Sequence, residues 1–263
     1  MLKSLEKSAE IISLKGISKT FSNGTVALKD LSLDIRQGEF VSLLGPSGCG
    51  KSTALRIITD LETPSSGQVD WPLEGQANEE HEVGFVFQEP TLMPWATVFG
   101  NVFLPLRVKG VSKTAARERV MGALEMVGLT EFERSYPREL SGGMKMRVSI
   151  ARALVTQPKV LLMDEPFAAL DEITRFKLNN DLLRLWEMHG WTVVFVTHSV
   201  FESVYLSNRI VVMAARPGRI VNDMTIDAPY PRDENFRTSP EYATYCRNVS
   251  LALQDAMSIE DQL

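Results

Sequence analysis

The chain has 263 residues, 44% of them hydrophobic, a formal net charge of -5 and two cysteines, Cys49 and Cys246. That length and apolar content support a large core, built as one domain or as one domain with a lobe. The acid excess, without aromatic residues interleaved among basic runs, leaves nothing that marks a nucleic-acid-binding surface. Two cysteines exclude a disulfide framework and fit a reducing compartment. No apolar run approaches the ~18 residues that cross a bilayer, and Met1–Lys7 lacks the apolar core of a signal peptide. The expectation is a soluble, cytosolic protein unless a partner holds it at a membrane.

In chain order, residues 1–10 are polar and frayed. Ile11 to Ile35 reads as short strands with a hairpin turn at Asn23-Gly24. Ala27–Ile35 alternates apolar and polar, as a half-buried strand does. Gln37-Gly38 turns into an apolar run, Phe40–Leu44. That run feeds Gly45-Pro46-Ser47-Gly48-Cys49-Gly50-Lys51-Ser52-Thr53 and then a helical segment, Ala54–Ile58. Thr63-Pro64-Ser65-Ser66-Gly67 breaks that helix. Val83–Phe87 is a short strand ending at Gln88, followed by a proline-bounded apolar loop over residues 89–96. Ser112 is an N-cap candidate; Ala116, Val120, Ala123 and Val127 recur at helical spacing, and Gly128 ends the run. Residues 89 to about 157 therefore read as a mostly helical insertion between two strands.

Val160–Met163 is a continuous apolar run ending in Asp164-Glu165, which suits a strand buried on both faces of a parallel sheet. A helix follows near 172–189, with Leu178, Leu182, Leu185 and Trp186 on one stripe and Gly190 past its end. Thr192–Thr197 is a second buried strand, ending at His198. A short helix over 199–206, a strand at Arg209–Met213, a turn at Pro217-Gly218 and a last strand at Ile220–Ile226 complete the body. Strands alternating with helices predict a mostly parallel sheet with ligands at the carboxyl ends of its strands. Gly45, Gln88, Asp164 and His198 all fall at such ends. The tail, residues 230–263, predicts one amphipathic helix that starts at Ser239-Pro240-Glu241, with Tyr242, Tyr245, Cys246, Val249 and Leu253 as its apolar stripe.

The stretch from Gly45 to Thr53 matches G-x-x-x-x-G-K-[ST] between a strand and a helix, the pattern of a phosphate-binding loop. Glycines at 45, 48 and 50 let successive N–H groups turn inward as an anion nest. The following helix adds its positive end. Lys51 supplies a mobile cation for the β- and γ-phosphates, and the Ser52 hydroxyl is placed to hold Mg²⁺. An Asp164-Glu165 pair ending a hydrophobic strand is the usual second half of such an enzyme. The aspartate binds Mg²⁺ through water, and the glutamate orients or deprotonates the attacking water. Leu140-Ser141-Gly142-Gly143-Met144 opens a strong helical run. By itself it reads either as a capped helix start or as a second anion site of the helix-terminus kind.

With Leu-Ser-Gly-Gly standing between the phosphate loop and the Asp-Glu strand, the chain resembles the ABC-type ATPases over roughly residues 11–226. The resemblance implies an α/β fold: a phosphate-loop NTPase (RecA-like), mostly parallel core with an N-terminal antiparallel β subdomain and an inserted α-helical subdomain. It implies an ATPase domain over 11–229 and a separate helical tail. Phe21 matches the position whose ring stacks on adenine. Gly45, Pro46, Ser47, Gly48, Cys49, Gly50, Lys51, Ser52 and Thr53 are then the ATP-binding loop, with Cys49 at a variable position and not catalytic. Gln88 matches the glutamine that touches Mg²⁺, and His198 the histidine that contacts the γ-phosphate; with Glu165 they form the expected catalytic set. Ser52, Gln88 and Asp164 are the expected Mg²⁺ residues. Ser141, Gly142 and Gly143 match the signature that meets ATP bound by the other subunit, and Asp171 the loop that crosses the dimer interface. Met144 departs from the family's usual glutamine, which implies modest tuning.

The resemblance also implies a homodimer that buries two ATP molecules, an integral membrane permease, and a solute-binding protein met only indirectly. The protein would sit peripherally at the cytoplasmic face of the inner (plasma) membrane, bound through the permease, with no role for nucleic acid. Met93, Pro94 and Trp95 form an apolar loop that reads either as a small satellite core or as a groove for a permease helix. Phe87–Trp95 and Arg216–Ile220 are similar to the nitrate/sulfonate/taurine group of uptake systems, some relatives of which serve thiamine-precursor uptake. A non-transport ABC ATPase of DNA repair or translation would carry a long coiled-coil insertion or two cassettes; here 53 positions separate Gln88 from Ser141, and the sequence shows one cassette. A phosphate-loop kinase or GTPase would leave Leu-Ser-Gly-Gly unexplained.

Overall fold

A computed structural model of the chain describes residues 8–72 and 83–258. These form two compact units, one made of residues 8–72 and 190–258 and the other of residues 83–189.

The first unit opens with β1 (Glu10–Thr20) and β2 (Val26–Arg36), paired antiparallel across the turn that holds Gly24 at φ 83°. These are two long strands where short ones are expected. Their regularity is interrupted by bulges: register shifts fall between Leu14 and Ile17 and again near Lys19, and Asp30 sits at φ 49°. Ser18 and Ser32 hydroxyls take up the freed N–H groups of Asp30 and Gly16, each at 3.0 Å. Leu28 and Leu31 are therefore both buried although three residues apart, while Leu31, Leu33 and Ile35 keep the period of two. β3 (Phe40–Leu44) runs straight into the glycine-rich stretch and α1 (Lys51–Ile58). The chain then pairs β4 (Ser66–Asp70) with the far side of β1. Sequence reading gives only a helix breaker there, because β4 is polar and mostly exposed and is held by backbone pairing to β1 and an exposed Lys15–Asp70 ion pair at 2.7 Å.

The second part of this unit brings β7 (Thr192–Thr197) and β8 (Arg209–Ala214) in parallel to either side of β3, and β9 (Arg219–Thr225) antiparallel to β8. All residues of β3 and β7 are buried, which explains why they are mostly apolar, with Ser42, Thr192 and Thr197 as their buried hydroxyls. α6 (Val200–Leu206) links β7 to β8. A short helix, α7 (Glu234–Arg237), precedes α8 (Pro240–Ser258), whose start is capped by the Ser239 hydroxyl on the Tyr242 N–H at 3.1 Å. The buried stripe of α8 is Tyr242, Cys246, Val249, Ala252 and Ala256. Tyr245 and Leu253, expected in that stripe, are half-buried: the small alanines give the closer approach. Arg232, 4% exposed, ties the tail down by donating to the carbonyls of Val204, Tyr205 and Ser207 through Nη1, and of Ile226 and Ala228 through Nη2.

The second unit pairs β5 (Val83–Val86) in parallel with β6 (Val160–Asp164). Between them in the chain lie α2 (Val98–Val108), α3 (Lys113–Met126) and α4 (Gly142–Leu154). Ser112 caps α3, and Ala116, Val120, Ala123 and Val127 are buried as their spacing predicts. α5 (Glu172–His189) follows β6, burying Leu178, Leu182, Leu185 and Trp186. Among the described residues no helix is long and apolar enough to cross a membrane.

Candidate functional site

In the first unit the glycine-rich stretch leaves β3 and enters α1 through Gly50, the N-cap, at φ 90° and ψ 7°. Only glycine takes this backbone at low cost, and a Cβ here would stand 2.6 Å from Leu28 Cδ2 and 2.7 Å from the Ala27 carbonyl. No side chain caps α1, so its first N–H groups face the loop as anion donors. Lys51 is 4% exposed and folds back over the loop, with Nζ donating to the Gly45 and Pro46 carbonyls at 2.8 Å each. Ser47 and Gly48 form the exposed rim, and Ser52 and Thr53 are half-buried in the first turn of α1. This donor set fits a polyphosphate, and the Ser52 hydroxyl is a hard oxygen of the kind Mg²⁺ takes.

Cys49 is fully buried, and burial pushes its thiol up against the opposing pull of Lys51, so it is unreactive near neutral pH. Behind it lies the turn between β8 and β9. A Cβ on Gly218 would fall 2.2 Å from the Cys49 carbonyl. The Gly218 N–H donates to Ala27 at 3.0 Å, and its carbonyl accepts from Lys29 at 2.9 Å. The stretch Arg216–Ile220 thus backs the phosphate loop. Sequence reading takes it only as a family likeness, because the contact joins residues far apart in the chain. Phe21 is half-buried beside the β1–β2 turn, with Lys19 Nζ 5.3 Å from its ring centroid, and is not a core residue. His198 is exposed directly after β7.

In the second unit Gln88 is exposed just past β5. The loop after it is held by two side chains that sequence reading misses. Arg152, near the end of α4, donates to the Pro90 carbonyl at 2.8 Å and to the Thr91 carbonyl and hydroxyl at 2.9 Å each. Thr91 sits at φ 47°, a strained setting for a β-branched residue. Asn101, fully buried in α2, accepts from the Met93 N–H at 2.7 Å and donates to the Met93, Ala96 and Thr97 carbonyls. Trp95 projects from this pinned loop, 77% exposed.

Asp164 closes β6 and is 7% exposed; Glu165, next to it, is half-buried and stands at φ 45°. Ser141 caps α4, its hydroxyl accepting the Met144 N–H at 3.3 Å. Gly142 is exposed and Gly143 buried. A Cβ on Gly143 would meet Thr174 Cγ2 at 2.5 Å, so the start of α4 lies against the first turn of α5. Asp171 caps that turn by accepting the Thr174 N–H at 2.9 Å. The hydrogen bonds from Thr174 hold the Asp171 carboxyl below its ordinary range. The structure therefore brings Ser141, Gly142 and Gly143 beside the Leu170–Asp171 loop.

Residues 28–168 match the family model described as ABC transporter. A putative ATP-binding protein of Brucella abortus is 48% identical over 242 residues, covering 91% of this chain and 92% of that protein. The aliphatic sulfonates import ATP-binding protein SsuB of Bacillus cereus is 44% identical over 233 residues, covering 88% and 92%. Among solved structures, the dimeric structure of MJ0796, a bacterial ABC transporter cassette, aligns with a TM-score of 0.72 at 37% identity, covering 83% of this chain and 100% of that one. The cbiO1 structure from Clostridium perfringens aligns with a TM-score of 0.74 at 26% identity, covering 96% and 99%. The α/β phosphate-loop fold, the motif order and these likenesses agree, and the chain belongs to the ABC transporter family as an ATP-binding cassette.

Proposed function

We propose that this chain is the ATP-hydrolysing subunit of an importer, working as a homodimer on the cytoplasmic face of a membrane that a separate permease crosses. The observation that carries the reading is that one chain holds both a phosphate loop and a second anion-type helix start, Ser141–Gly143, packed against the Asp171 loop. Two copies related by a two-fold axis let each spare site complete the partner's pocket.

In this reading Phe21 stacks on adenine, and the N–H groups of Gly45–Thr53 with Lys51 cradle the phosphates. Glu165 orients or deprotonates the water that attacks the γ-phosphate; His198 contacts that phosphate, and Gln88 links the core to the helical lobe. Mg²⁺, when bound, neutralises charge on the β- and γ-oxygens; Ser52 and Gln88, and Asp164 through water, would hold it. The body, 11–229, is the ATPase domain and residues 230–263 the helical tail. The likeness to a sulfonate importer's subunit supports an uptake system of the nitrate/sulfonate/taurine kind, with a solute-binding protein outside the membrane.

The test is Glu165→Gln. The variant should bind Mg-ATP and accumulate as a dimer by light scattering, with turnover lowered at least about a hundredfold. A variant that stays monomeric at saturating ATP and hydrolyses it at the normal rate removes Glu165 from this role.

A further inference from the structure

β7 ends in Thr197, 2% exposed, and the next residue is His198. The Thr197 hydroxyl donates to Glu202 Oε2 at 2.6 Å and accepts the N–H of Ser199 at 3.0 Å. The Ser199 hydroxyl in turn accepts the N–H of Glu202 at 3.3 Å, capping α6. These three bonds close a ring through residues 197, 199 and 202, and His198 is the residue the ring encloses in the chain. Each link in such a ring polarises the next. Glu202 is 8% exposed. A carboxyl buried that far is costly unless its hydrogen bonds are made, and an apolar residue would fill the space more cheaply.

The helix is seated from its other end as well. Arg232 donates to the Val204, Tyr205 and Ser207 carbonyls, placing a cation at the C-terminus of α6. The Tyr242 hydroxyl donates to the Phe201 carbonyl at 2.9 Å. Arg237 lies over the Tyr205 ring at 4.1 Å. α6 is thus fixed along its length, and the exposed His198 stands immediately before its cap residue, Ser199.

We propose that Thr197 and Glu202 are positioning residues for His198: their hydrogen bond fixes the backbone on both sides of the histidine, so that its ring reaches the γ-phosphate by side-chain rotation alone. This rests on the reading of His198 given above. Displacing a reacting group by about 1 Å costs up to about a hundredfold in rate, so the ring acts on kcat and leaves nucleotide affinity alone.

The experiment is Thr197→Val, which keeps the shape and removes the hydroxyl, measured beside Thr197→Ser, which keeps the hydroxyl. Thr197→Val should lower kcat for ATP by about tenfold or more with nucleotide Kd within about twofold. Thr197→Ser should return kcat to within about threefold. Glu202→Gln, whose amide oxygen still accepts from Thr197, should lose less than Thr197→Val. With three histidines in the chain, the His198 ring signal is separable by NMR, and it should broaden or split in Thr197→Val alone. Thr197→Val with kcat within about twofold of the parent, or Thr197→Ser as slow as Thr197→Val, overturns the proposal. His198→Ala separates the two levels. Normal turnover in it sinks the reading of His198 itself, whereas loss of turnover in it with Thr197→Val intact sinks the positioning role alone.

Discussion

A methyl group added to Gly143 should be tolerated only if another is removed from Thr174. The Cβ of an alanine at 143 would stand 2.5 Å from Thr174 Cγ2, about 1 Å inside the distance that carbon atoms accept. Thr174 is branched and sits in the first turn of α5, with its N–H held by Asp171, so its methyl has little room to swing. Overpacking of this kind costs about 1–3 kcal/mol, and the better helix propensity of alanine returns up to about 1 kcal/mol. Gly143→Ala should therefore lose ~1–2 kcal/mol. Thr174→Ser deletes the offending methyl and loses about 0.8 kcal/mol of burial. The double variant should be no less stable than Thr174→Ser, a favourable coupling of ~1–2 kcal/mol. The assay is urea unfolding of the four proteins without nucleotide, with equal m-values as the check on the comparison. A double variant that loses the sum of its parents refutes the packing argument. The same proteins separate packing from chemistry: a stable double variant that still fails to hydrolyse ATP places the excluded volume on the nucleotide side of Gly143.

Two further outcomes are expected. Arg152→Met removes the bonds to Pro90 and Thr91, leaving their carbonyls to water and Thr91 at φ 47° without the Arg152 fork, and should cost ~1–3 kcal/mol in thermal or urea unfolding. Adding Thr91→Gly, which relieves the left-handed backbone, should recover about 1 kcal/mol, and no recovery would count against the strain. Asp171 has its folded pKa held below the ordinary value by Thr174. Its charged cap therefore stabilises above the unfolded carboxylate range near ~4, and that contribution disappears as pH falls through the folded value. The melting-temperature difference between the parent and Asp171→Asn should hold from neutral pH down to the unfolded carboxylate range near ~4 and shrink only below it, and a difference that widens there would reverse the sign argued here.

The strand ends that carry the proposed chemistry were legible because burial on both faces writes itself as an unbroken apolar run. Phe40–Leu44 leads into Gly45, Val160–Met163 into Asp164 and Thr192–Thr197 into His198. Three helix starts were legible because a cap is a local bond: Ser112, Ser141 and Ser239 each bond an N–H three residues on. What escaped has the opposite character. Arg152 holds Thr91 across 61 positions, and Gly218 meets Cys49 from another hairpin. Arg232 reaches back to Ser207 across 25 positions. None of these leaves a periodic or neighbouring trace. β4 escaped for a different reason, since an exposed polar edge strand held by backbone pairing has no alternation to show.

Arginine serves two purposes in this chain, and the difference bears on how the loops are controlled. Arg209 pairs with acids, Asp223 at 2.6 Å and Glu39 at 3.4 Å, which raises its pKa and locks strand to strand. Arg152, Arg175 and Arg232 grip main-chain carbonyls. Arg175 donates to Phe167 and Leu170 at 3.3 and 2.8 Å, just after Glu165 at φ 45°. A guanidinium presents five donors in a rigid fork, so it copies the position of its own helix onto the loop it holds. The loop after Gln88 therefore follows α4, and the loop between Glu165 and Asp171 follows α5. Those two helices meet where Gly143 touches Thr174. The Ser141–Gly143 end of α4, which lies against Thr174, and the backbone of Thr91 are thus joined through a single helix.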